Sequence, residues 1–112
     1  MYLMVNLLDI TEGVLKNNGK TFKDIEWIGC ESYTIPIDNF KKIADVEINE
    51  ESYEEEVFID LVICGDDWWM ERGTYDGNEW WEFRTIPTKP NEKRGDIESL
   101  TITGTNQYLK NL

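Results

Sequence analysis

Apolar residues near the start of the chain (Leu3, Met4, Leu7, Leu8, Ile10, Val14 and Leu15) recur at helical spacing. Asn17-Asn18-Gly19 follows as a stop signal, with glycine at the left-handed position that closes many helices. The pattern predicts an amphipathic first helix. From Asp24 to Cys30 the period shortens to two, which predicts a strand, and Ser32 to Ile35 reads as a second short one. Pro36 ends the extended run, and Asp38 is placed to cap a short helix, Asn39 to Ala44, burying Phe40 and Ile43. Val57 to Cys64 is almost continuously apolar, the pattern of a central strand covered on both faces. Gly65-Asp66-Asp67 turns the chain, and Trp68 to Tyr75 and Trp80 to Ile86 then pair as a hairpin about Asp76-Gly77. Pro87 and Pro90 bound a polar linker, Thr88 to Gly95, after which Asp96 to Thr103 alternates weakly, as an edge strand or an ordered tail. This order of elements predicts an α+β fold: an antiparallel sheet with a Trp-rich C-terminal hairpin and helices packed on one face. Residues 1–87 form its single domain, and residues 88–112 are a linker and edge strand or tail of the same domain.

Strand parity sorts the hairpin into two faces. Trp68, Met70, Trp81 and Phe83 fall on one side, which is the expected core side. The opposite side carries Trp69, Tyr75 and Trp80 among Glu71, Glu82 and Arg84. A two-residue turn would set Glu71 against Glu82, whereas a four-residue loop would set it against Arg84. Either register leaves the same aromatic residues outside. They form a binding face unless a helix or the C-terminal segment covers them.

With 112 residues, 40% of them hydrophobic, and five Trp, five Tyr and four Phe, the chain has the material for one packed core despite a net charge of −12. No apolar run reaches the roughly 18 residues of a membrane span, and the apolar opening carries Asp9 and Glu12 without a basic leader, so no membrane contact is expected. Cys30 and Cys64 end apolar runs without metal-type spacing, which suits reduced thiols in a cytoplasmic protein.

The charge is concentrated. Fourteen acids and one base, Arg72, lie between Asp45 and Glu82, while the remainder is close to neutral. Within that stretch Asp45, Glu47, Glu50, Glu51, Glu54, Glu55, Glu56 and Asp60 follow one another with no base between them. Packing like charges this closely opposes compaction. One reading is an acidic surface that imitates a nucleic-acid backbone or fits a basic cleft; the other is a solvated loop, the commoner fate of such blocks. The glutamates lack the spacing of a calcium loop, and without histidine a zinc or iron site is not expected.

No enzyme chemistry is expected. Without histidine there is no Ser-His or Cys-His pair, and no Gly-rich phosphate loop is present. Glu71 and Glu82 beside tryptophans resemble a glycosidase acid pair only superficially, since hairpin glutamates ordinarily face solvent. No cofactor is expected, and the sign of the charge disfavours direct contact with nucleic acid.

Three segments carry a resemblance: Asp67-Trp-Trp-Met-Glu-Arg-Gly-Thr-Tyr-Asp-Gly-Asn-Glu-Trp-Trp-Glu-Phe83, Gly19 to Cys30, and Ile37 to Asp45. They resemble small uncharacterised proteins of phages and prophages of Gram-positive bacteria. The resemblance covers most of the first 90 residues and is most specific in the hairpin. In that group the 45–60 region is richer in Gly and Tyr than the acidic segment here. The resemblance implies a phage setting and brings no activity or site residues with it. The combined expectation is an acidic protein that inhibits a host defence protein (CRISPR systems among them) or a nucleic-acid-processing protein. It would do so by occupying that protein's basic surface. The alternative is a sugar- or peptide-binding module, or a phage accessory protein, that uses Trp69, Tyr75 and Trp80. Oligomeric state is left open.

Overall fold

The computed structural model describes residues 4–51, 56–91, 95–101 and 108–111. It is an α+β fold with a two-stranded and a five-stranded sheet, all pairings antiparallel.

The first helix starts later than its apolar spacing suggests. Met4–Asn6 is a strand, β1, and helix α1 spans Leu7–Asn17. The boundary is set by Asn6, whose side chain accepts a bond from the Asp9 amide at 3.0 Å and so caps the helix. The stop falls where expected: Gly19 adopts φ +72°, and the Gly19 and Lys20 amides return to the carbonyls of Lys16 and Leu15. Leu7, Thr11 and Leu15 form the buried stripe of α1.

Two strands follow, β2 (Trp27–Gly29) and β3 (Thr34–Ile35). Their turn requires Gly29, since a Cβ there would lie 1.9 Å from the Tyr33 carbonyl oxygen. Helix α2, Ile37–Ala44, begins two residues before the expected start. Pro36 occupies the cap position and Asp38 lies in the first turn, where its charge suits the helix dipole. That shift puts Phe40 and Ala44 on the buried stripe with half-buried Ile37, while Ile43, expected inside, is 58% exposed.

The acidic segment contains a strand absent from the sequence expectation: β4, Glu47–Asn49, pairs with β1. The apolar run after it is extended only at its end, as β5, Val62–Cys64. Val57 and Leu61 plug the core from an irregular stretch, and Phe58 and Ile59 point outward. β5 is central but not covered on both sides: Ile63 is fully buried, whereas Val62 and Cys64 on the other face are half-buried.

The hairpin comprises β6 (Trp68–Tyr75) and β7 (Asn78–Thr85). Asp76 and Gly77 both have positive φ, +49° and +84°, the two-residue turn whose twist matches the strands. The five-stranded sheet runs β3-β2-β5-β6-β7. Its inner face (Ile28, Ile63, Met70, Trp68, Trp81) joins Leu7 and Leu15 of α1 and Phe40 and Ala44 of α2 in one core. Trp81 Nε1 donates to Thr11 Oγ1 at 2.9 Å, fixing α1 to β7. Phe83 stacks on Trp68 with centroids 5.4 Å apart. The expected edge strand from Asp96 is not formed in its described part: residues 95–101 are irregular and exposed, and residues 102–103 lie outside the described residues. With Asp96 and Glu98 interleaved among Ile97 and Leu100, the segment offers too little apolar surface to offset the ordering entropy of a strand.

Candidate functional site

The outer face of the five-stranded sheet follows from parity and register. Across four strands one row reads Trp27, Cys64, Trp69, Arg84, and the next reads Gly29, Val62, Glu71, Glu82. Gly73 and Trp80 form a third row, and Tyr75 and Asn78 a fourth. Both helices contribute their buried residues to the core on the opposite face, and among the described residues no helix lies over this one. Trp69 and Trp80 are half-buried and Trp27 is 39% exposed.

These rings are held in place. Trp69 Nε1 donates to Glu71 Oε1 at 3.1 Å, and Trp80 Nε1 donates to Glu82 Oε2 at 3.0 Å. Each pair is two residues apart on one strand, where side chains are same-face neighbours. Trp80 lies over Gly73, so that a Cβ at Gly73 would meet its indole nitrogen at 2.5 Å. The two-residue turn sets Glu71 against Glu82, as that register requires, and Arg84 relieves the repulsion by pairing diagonally with Glu71. Glu82 has no cationic partner among the described residues. The result is an aromatic face with one unneutralised carboxylate. Trp69, Glu71, Tyr75 and Trp80 thus share the face the sequence indicated, with Tyr75 at its exposed tip. Trp27 joins them unannounced. Its own strand's alternation would have placed it opposite Ile28, but its position beside Cys64 depends on strand order.

The acidic block is not one surface. Arg72, on the core face, has a side chain of 0% exposure, with its guanidinium 4.8 Å from the Trp81 ring centroid and Nη2 3.5 Å from Glu79 Oε1. Glu79 Oε2 accepts from the Glu56 amide at 3.1 Å, and Glu56 Oε2 accepts from the Asn49 amide at 2.7 Å. The Glu79 amide in turn donates to the Glu50 carbonyl at 2.8 Å. Glu50 and Glu56 therefore help to tie the acidic segment to the hairpin, a role the reading as a free contact surface did not include. Asp45, Glu47 and Glu51 are exposed, Asp45 accepting from Asn6 Nδ2. Glu54 and Glu55 lie outside the described residues. Asp60 stands at the opposite edge of the sheet, in an apolar cleft of about 480 Å3 with Tyr33, Ile35, Phe58 and Leu61. Among the described residues, no cluster of three or more His, Cys, Asp or Glu is placed to hold a metal ion. No described helix is long and apolar enough to cross a membrane.

Burial raises the Glu50 carboxyl above its ordinary value of 4.5; Arg72 opposes the shift and Glu79 adds to it. Burial also lowers Arg72, against the pull of Glu79 and Glu50, and raises the Cys64 thiol, with Glu26 adding to it. For Glu50 the sign follows directly: its ionisation costs stability above the raised folded value, and that cost fades as pH falls towards 4.5. Glu50→Gln should therefore raise the thermal midpoint at pH 7, with the gain vanishing below about pH 4.5. Paired melting curves across that range would check it; a gain that persists in acid would assign the effect to something other than ionisation.

No protein-family model matches the chain, and no curated protein or solved structure matches it either.

Proposed function

We propose that this chain is an acidic binding protein that acts by occupying a basic surface of a partner protein, a host protein in the phage setting that the resemblance implies. The supporting observation is the outer sheet face: Trp27, Trp69 and Trp80 share it, with the indole N–H groups of Trp69 and Trp80 held by Glu71 and Glu82, in a chain of net charge −12. With the Trp69 and Trp80 N–H groups already bonded, those rings offer their π faces and the carboxylates offer charge. That combination suits arginine or lysine side chains, which gain from both. The exposed acids Asp45, Glu47 and Glu51 would add long-range steering rather than close contact.

The test is capture from a host lysate at low and high salt, comparing the wild type with a Trp69→Ala/Trp80→Ala variant of verified fold. The expected result is a basic partner that is retained at low salt, released at high salt, and not retained by the variant. A partner held equally by the variant, or held irrespective of salt, would overturn the reading.

A further inference from the structure

The other edge of the same sheet carries a second feature. In β7 the Glu79 amide points away from β6, to the Glu50 carbonyl. Because outward groups recur at every second residue of an antiparallel edge strand, the N–H and C=O of Trp81, Phe83 and Thr85 point the same way. No described strand pairs with them. Beside this edge runs a groove of about 510 Å3, walled by Asp9, Ile10, Gly13, Val14 and Asn17 of α1 and by Glu50, with Trp80 and Trp81 in its lining.

Gly13 is the informative residue. It sits in the interior of an 11-residue helix, where alanine is the better helix former, and a Cβ there would meet nothing within 4 Å. Packing among the described residues therefore does not require glycine here, and a larger side chain at this position would extend into the groove.

We infer that the groove between α1 and the edge of β7 that no described strand covers takes up an extended cationic peptide segment of a partner protein, which pairs with β7 as an added strand. Main-chain bonds to an exposed edge supply affinity in this mode, and flanking pockets select side chains. The edge is already engaged in this way at its first outward position, by Glu50. The charge of the groove selects the occupant: Asp9 and Glu50 line it and no basic residue does. The chain's own segment from Asp96 to Thr101 carries two acids and stands free, with Leu100 89% exposed. A second copy would bring another −12. Neither fits as well as a basic peptide. Trp80 borders both this groove and the tryptophan face, but the outward β7 amides report on the groove edge alone, so the test does not rely on that reading.

A display library of random eight-residue peptides, panned on the intact protein at low salt, provides the probe. Enriched peptides should carry Lys or Arg, and a synthetic copy should slow hydrogen exchange at the Trp81 and Phe83 amides. Trp80 and Glu82, already bonded to β6, should change little. Methylating alternate peptide amides should weaken binding about tenfold or more, the worth of two lost backbone bonds. Gly13→Leu should do the same by filling the groove, while its thermal midpoint stays equal or rises. The inference is overturned if no peptide is enriched, if those enriched are neutral or acidic, or if Gly13→Leu binds normally. It is equally overturned if the protection maps to Trp27 and Trp69, or if sedimentation shows a dimer with the β7 amides protected without peptide.

Discussion

Trp81→Ala should lower the unfolding free energy by about 3–5 kcal/mol, a large share of the stability of a domain of this size. Three losses coincide at that position: a ring with 6% exposure, its bond to Thr11, and its face against the Arg72 guanidinium. Thr11 keeps its donor bond to the Leu7 carbonyl but loses the donor it accepts from. By contrast, Trp69→Ala and Trp80→Ala should cost about 1–2 kcal/mol each, since half-buried rings on an open face give up less area. Urea unfolding of the three variants checks the contrast. Equal losses at all three would mean that both faces of the sheet are closed, and the tryptophan face would no longer be a binding surface.

Arg72→Met should be nearly as damaging, at about 3–5 kcal/mol, because it strands the Glu79 carboxylate beside Glu50 and Glu56 without a counter-charge. Two of the guanidinium nitrogens, Nε and Nη1, have no hydrogen-bond partner among the described residues, so the native pair is itself imperfectly satisfied. Adding Glu79→Gln should therefore recover most of the loss: the neutral amide can still accept from the Glu56 amide, and the methionine fills the space against Trp81. A double-mutant cycle in urea measures this directly. A harmless Arg72→Met would show that the acidic segment holds its place without the buried cation.

The elements legible in the sequence were those with enough residues to declare a period. The eight-residue strands of the hairpin sort Trp68, Met70, Trp81 and Phe83 from Trp69, Tyr75 and Trp80 without ambiguity, because a period of two admits no drift. Extending the same alternation two residues past Met70 reaches Arg72, so its place on the core face was there to be read. It was obscured by counting Arg72 as the lone base of an acidic stretch. The three-residue strands β1 and β4 were not legible: Glu47-Ile48-Asn49 has one apolar residue, and its strand character comes only from pairing with Met4–Asn6. The same reason hides Trp27 from the aromatic face. Which strand lies beside which is a long-range outcome, and β2 reaches Trp69 only through β5. Glu56 looked like a free charge because its carboxylate's partner, the Asn49 amide, is a backbone group with no residue signature, and Glu50 is held through its own carbonyl by the Glu79 amide.

The bond from Trp81 to Thr11 spans 70 residues of chain, which bears on how the protein comes into being. During synthesis α1, β2 and α2 leave the ribosome before any of β5, β6 and β7 exists, so the first half has no sheet to lie on. The local meander from Val62 to Thr85 can close its own turns as soon as it emerges, and only then can the waiting helices dock. Until that moment Leu7, Leu15 and Phe40 stay in water, exposed to chaperones and proteases. A truncated N-terminal half should on these grounds be short-lived, and the nascent chain should resist proteolysis only after Thr85 has been added.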